Sequence, residues 1–231
     1  MVTDTTADPA TGRPGPGRGR RLRAWVLFVV AVAVGSVLIS PYLLLDIESS
    51  RLEPSSQLHY VLLVTHIFTA MIALVLGPLQ FVPALRARRR LHRRIGRAYL
   101  ALGVVPSALT GIPVALLAER LLTQVGLAIP AVGWLVTAVL AVRAIRRRDI
   151  EAHRSWMTRN YALTFLAVTS RILVPVMLLV QIPFGVPTAT LSASVPVMIS
   201  VGQVLGWVVN LIIAEIVIRR RRTVQRAVPA R

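Results

Sequence analysis

Gly77–Tyr99, GPLQFVPALRARRRLHRRIGRAY, is the stretch whose reading decides the fold. Its first third is apolar and helical in character. Its middle carries seven arginines and His92, and its end leads into another apolar run. Arginine is retained on the cytoplasmic side of a bilayer, so the stretch predicts a tight cytoplasmic turn between two membrane helices. The other segments can be oriented from it.

The chain has 231 residues, is 55% hydrophobic and has a mean hydropathy of +0.67. A soluble domain of this size needs a more polar exterior. The net charge is +18, and all 27 basic residues are arginine. Five lie before Ala24, seven between Arg86 and Arg97, six between Arg143 and Arg159, and six after Ile218. The runs between are nearly uncharged, which is the pattern of a polytopic membrane protein with basic cytoplasmic loops. Basic clusters also serve nucleic-acid binding. Here each one abuts an apolar run and none is interleaved with aromatics, so no nucleic-acid partner is expected. Arg86, Arg88, Arg89, Arg90, Arg93 and Arg94 form the lipid-facing basic cluster. Their expected partners are anionic headgroups, at roughly 1 kcal/mol per arginine near the surface.

Cysteine is absent, which removes disulfides, thiolate metal sites and covalent haem attachment. Without lysine there is no P-loop lysine and no Schiff base. No G-x-S-x-G, H-E-x-x-H or G-x-G-x-x-G pattern occurs. Most familiar enzyme classes are thereby removed, and the sequence favours a non-enzymatic role.

Residues 1–19 read as a disordered tail, rich in Thr, Asp, Pro and Gly. Residues 24–45 are uncharged, too long for a signal-peptide core and without an A-x-A-like site, so they predict an uncleaved first span. Further spans are expected at 58–85, 98–118, 125–142, 161–182 and 195–218. Together they form a transmembrane domain over residues 20–222, followed by a basic tail at 223–231. The segment 46–57 holds Asp46, Glu48 and Glu53 against Arg51 alone, which suits an external loop. The fold class is therefore all-α: a six-helix bundle of the plasma membrane with both termini in the cytoplasm. Gly103, Ser107 and Gly111 share one helical face and predict close approach of another helix. Gly202-x-x-x-Gly206 marks packing within the bundle or a dimer face. A homo-oligomer or another membrane partner is compatible with it.

Four sets of polar residues could carry chemistry. Arg171 lies about 15 Å along its span from Tyr161, near the midplane, where insertion costs roughly 2.5–3.5 kcal/mol. It is expected to face the bundle interior, on one face with Asn160 and Thr164. Asn210 and Glu215 of the sixth span are its candidate partners. The set is either a structural clamp or part of an anion, substrate or proton site. His66 lies roughly 10 Å from the outer surface, with Gln203 at similar depth. It is a packed histidine, a haem or metal ligand, or a proton acceptor. His59 shares its helix, so the two cannot clamp one haem. His92 and His153 both precede a span on the inner side, in echoing surroundings: His92-Arg93 then Tyr99, and His153-Arg154 then Tyr161. They are either interfacial turn residues, proton relays, or axial ligands of haem b whose propionates pair with nearby arginines.

The run Gly77-Pro78-Leu79-Gln80-Phe81, Pro83, Leu85-Arg86, Leu91-His92-Arg93, Gly96-Arg97 and Tyr99 resembles the signature of the bacterial membrane-protein family catalogued as domain of unknown function 2306. A second block, His153-Arg154, Trp156-Met157 and Arg159-Asn160-Tyr161-Ala162-Leu163, resembles that family's other hallmark. The resemblance covers roughly residues 58–218 and implies a bundle of membrane helices. It also places His66, Arg171, Asn210 and Glu215 at expected polar positions. The bundle is distantly similar to haem-b membrane cytochromes and ferric-reductase-type domains, which use histidines on neighbouring helices. Three functions are compatible with this reading: a haem-b redox protein, a small proton-coupled transporter, and a membrane scaffold or partner subunit.

Overall fold

The computed structural model describes residues 16–45, 56–185 and 187–226, and these are all-α. The order begins with α1 (Pro16–Ile39), α2 (Gln57–Leu79), α3 (Pro83–Ala87) and α4 (Arg89–Ala98). A π-helical stretch, Tyr99–Val104, joins α4 to α5 (Val105–Leu116). Then come α6 (Leu121–Arg146), α7 (Ile150–Thr164), α8 (Leu166–Gln181) and α9 (Thr188–Arg226). Among the described residues six helical segments are long and apolar enough to cross a membrane: Arg21–Tyr42, Gln57–Leu79, Arg89–Leu116, Leu121–Arg146, Leu166–Phe184 and Thr188–Gln225. Large apolar side chains such as Leu102, Val139 and Leu179 stay exposed on them, as lipid-facing positions do.

The arginine-rich turn is itself helical. Val82 precedes Pro83 and is extended (φ −69°, ψ 120°), because the proline ring disfavours the helical region for the residue before it. That ends α2 at Leu79 rather than at Leu85. A second break at Arg88 (φ −86°, ψ 79°) separates α3 from α4. The third membrane helix therefore starts at Arg89, nine residues ahead of Ala98. Arg89, Arg90, Arg93, Arg94 and Arg97 are exposed along one side of α4, while Leu91, His92, Ile95 and Gly96 are half-buried. Arg86 is half-buried too and does not stand with the exposed arginines.

Pro106 explains the π-helical stretch. Its ring would meet the carbonyl of Leu102 one turn earlier, and it has no N–H to donate. Widening the preceding turn relieves both problems. On the fifth span, Asp149 caps α7 by accepting from the Ala152 N–H at 2.8 Å. The helix then breaks at Phe165 (ψ −4°) before α8 begins. The first helix starts at Pro16, inside the stretch expected to be a tail. Residues 1–15, the acidic segment 46–55 and residues 227–231 lie outside the described residues.

Small residues bring the helices together. A Cβ on Gly103 would lie 2.9 Å from the Ala73 backbone, so α2 and the π-helical stretch touch main chain to main chain. Gly77 lies under the ring of Tyr161. Gly202 and Gly206 pack on Val174, Ser170 and Leu166 of α8, which places that motif inside the bundle. The main core joins Ala73, Tyr99, Val104, Trp134, Met157 and Tyr161 from four segments of the chain.

Candidate functional site

The centre of the bundle holds a fully buried polar network. Tyr99 and Asn160 have no solvent exposure, and Trp134, Thr137 and Thr164 are buried beside them. The Tyr99 hydroxyl donates to Asn160 Oδ1 at 2.5 Å and lies 2.8 Å from Thr164 Oγ1. Trp134 Nε1 donates to Thr164 Oγ1 at 2.9 Å. Asn160 Nδ2 donates to the Trp134 carbonyl and to Thr137 Oγ1, both at 2.8 Å. Every one of these side chains has a partner. Such a network fixes the relative rotation of α4–α5, α6 and α7, because each bond crosses helices.

The network stands one and a half to two turns along α4 and α7 from the arginine-rich end, where the two histidines lie. His92 sits on α4 and His153 on α7, both half-buried. They are close enough for the charge of one to act on the other, and Arg86 acts on His92 in the same way. His153 Nδ1 is 2.9 Å from the Ala141 carbonyl. A carbonyl only accepts, so Nδ1 carries the proton and Nε2 keeps its lone pair in the neutral ring. His92 Nδ1 is buried without a hydrogen bond among the described residues. One turn beyond His92, Gly96 faces Gln80: a Cβ there would lie 3.3 Å from Gln80 Oε1. Gln80 Nε2 is likewise buried with no partner among the described residues.

His66 is half-buried on α2 against α5. Its Nδ1 lies 2.8 Å from the Ser107 carbonyl and 3.1 Å from Ser107 Oγ, and its ring rests over Gly111. The same logic leaves the Nε2 lone pair free. His59, buried two turns away, donates its backbone N–H to Ser56 Oγ at the start of α2.

The expected stripe of Arg171, Asn210 and Glu215 does not assemble. Arg171 is exposed rather than turned to the interior, with Nη1 3.2 Å from Ser170 Oγ. Asn210 accepts from Thr169 Oγ1 at 2.8 Å and donates to the Ala162 carbonyl at 3.0 Å. Glu215 pairs with Arg159 at 2.6 Å, and that guanidinium also lies 4.6 Å over the Trp156 ring. The physical reason is the break at Phe165. Asn160 and Thr164 precede it and do share the interior, but the helix phase is not carried on to Arg171. Gln203 faces Gly126 of α6, with Oε1 buried and unbonded among the described residues. Glu215 and Arg159 are 39% and 21% exposed, so their pair is partly screened. Glu215→Gln is expected to cost no more than about 1 kcal/mol in a thermal or denaturant unfolding measurement.

Among the described residues no three His, Cys, Asp or Glu side chains gather as a metal site. Tyr99, Trp134 and Thr137 are the network members that the sequence did not single out. The family model described as "Predicted membrane protein (DUF2306)" matches residues 63–218. The chain belongs to the DUF2306 family. The matched range of this DUF2306 protein holds the whole polar network, His66, His92 and His153, and leaves out His59 and all of the first helix. No curated protein and no solved structure matches the chain.

Proposed function

We propose that this DUF2306 protein is a plasma-membrane redox protein that holds haem b between His92 and His153. In this reading both termini and the arginine-rich end lie in the cytoplasm, on the positive-inside argument. One observation carries it. Two imidazoles from different hairpins lie within reach of each other's charge, and among the described residues neither His92 Nδ1 nor His153 Nε2 makes a hydrogen bond.

The donor set fits the group. Ala141 holds the His153 ring in the tautomer that a metal-ligating imidazole needs, with a carbonyl behind it to orient the ring. His92 Nδ1 and Gln80 Nε2 are buried polar atoms without partners among the described residues, which is costly unless something else occupies them. Arg86 and the exposed arginines of α4 supply cations for carboxylate groups at the same end. The buried network holds α4 and α7 in fixed rotation, so the two rings keep their relation. When bound, haem would supply one-electron transfer.

A proton-coupled transporter built on Arg171, Asn210 and Glu215 has less support, since Asn210 and Glu215 are bonded elsewhere. A scaffold role predicts no pigment and a co-purifying membrane protein. Haem content separates these readings. Protein purified from haem-replete cells is expected to carry about one haem per chain, lost in His92→Ala and in His153→Ala but kept in His59→Ala. Colourless wild-type protein would remove the redox reading.

A further inference from the structure

A crevice between α1 and α8 has a chemistry of its own. Ala33, Val34, Val37 and Leu38 of α1 line it with Arg171 of α8, around an open groove of about 410 Å³. That volume lies within the range of small-molecule sites, and one cation set among apolar walls is their common composition. A guanidinium has five N–H donors, and the contact with Ser170 Oγ uses one of them.

Depth decides what kind of ligand. Arg171 is separated from Arg159 by roughly 18 Å of helix and from Phe184 by roughly 20 Å, at 1.5 Å per residue. It therefore lies near the middle of an apolar layer about 30 Å thick. A phospholipid headgroup would have to leave the surface and cross some 15 Å of hydrocarbon to meet it. A quinone needs no such displacement: its ring and tail are apolar, and its carbonyl oxygens accept hydrogen bonds.

We propose that this crevice binds the head of a membrane-soluble quinone, with Arg171 donating to a ring carbonyl and the α1 side chains packing its tail. The choice of a quinone over other apolar carbonyl compounds rests on the redox reading; the site itself rests on the crevice.

The test uses the full chain in lipid nanodiscs, titrated with decylubiquinone while thermal unfolding is followed. A decyl-substituted benzene without carbonyls and added phosphatidylglycerol are the comparison ligands. The expected result is a saturable rise in unfolding temperature with the quinone alone. Arg171→Leu weakens binding by at least about tenfold, as loss of a hydrogen bond to a charged group does. Arg171→Lys keeps part of it, and Val34→Trp, which fills the crevice from the opposite wall, abolishes it. No saturable rise, or an equal rise in Arg171→Leu, overturns the proposal. So does a matching rise with phosphatidylglycerol, which would make the crevice a lipid site. Colourless protein that binds quinone through Arg171 upholds the site and removes only the haem reading. Haem-bearing protein that ignores quinone removes only the site.

Discussion

Asn160→Leu is expected to lower the unfolding free energy by about 2–5 kcal/mol, the sum of three interhelical bonds at roughly 0.6–1.7 kcal/mol each. The side chain has no solvent exposure, and its Nδ2 and Oδ1 bond Trp134, Thr137 and Tyr99. Leucine fills nearly the same volume, so little cavity forms and the loss reports the bonds. The Trp134 carbonyl loses Asn160 but keeps the Thr137 hydroxyl at 3.1 Å, and Tyr99 keeps Thr164. Thr137→Val is the comparison. It removes one bond to Asn160, the Thr137 hydroxyl otherwise bonding its own helix at the Gly133 carbonyl, so it should cost well under half as much. Reversible unfolding in mixed micelles, followed by tryptophan fluorescence, reads both. Equal effects, or an Asn160→Leu loss below about 0.5 kcal/mol, would mean that the network adds little beyond packing.

Gly103→Ala should destabilise the bundle by about 1–3 kcal/mol, and Gly103→Leu by more. The added methyl would lie 2.9 Å from Ala73 N and Cα, and backbone atoms in a packed helix cannot rotate aside. Gly96→Ala gives the contrast. Its methyl would lie 3.3 Å from Gln80 Oε1, the end of a flexible side chain that can move. A change within about 0.5 kcal/mol is expected there, as for most substitutions away from a tight contact. Ala73→Gly should rescue Gly103→Ala only in part, because it removes the Ala73 methyl but leaves N and Cα in place. Full rescue would show that the close approach is set by side chains and not by main chain.

The six-span architecture was legible because arginine punctuates the chain: charge and apolar length report where helices cross, whatever their packing. Boundaries were less legible at the arginine-rich end. Arg89–Ala98 is too basic to read as part of a membrane helix, yet α4 runs on into the third span with its arginines on one side. The rotation of the fifth span was not legible at all. Counting residues from Tyr161 gives depth along a helix, and the face of Arg171 followed only if the helix were unbroken. Phe165 breaks it, so Asn160 and Thr164 point inward while Arg171 lies at a crevice. The polar network was hidden for another reason. Trp134 reads as packing deep in its span, Tyr99 as an interfacial residue at the headgroup level, and no pattern marks Thr137. Only the wide turn after Ala98 and the neighbouring hairpin bring their polar atoms to Asn160 and Thr164. The likeness of the His92 and His153 surroundings was visible in sequence, but their nearness depends on how the two hairpins pack, which no local pattern encodes.

The polar network and the histidine pair divide the work of the site. Among the described residues every side chain of the network is hydrogen-bonded, whereas His92 Nδ1 is buried without a bond at the arginine-rich end. That contrast supports the proposal of ligand chemistry at His92 and His153 and of a structural role for Tyr99 and Asn160.

The measurement that tests the central claim most directly is the electron paramagnetic resonance spectrum of the oxidised, purified protein. Two imidazoles on one iron predict a single low-spin ferric haem signal. It should convert to high spin or vanish in His92→Ala and again in His153→Ala. No ferric haem signal in the wild type, or a low-spin signal untouched in both variants, would contradict the assignment.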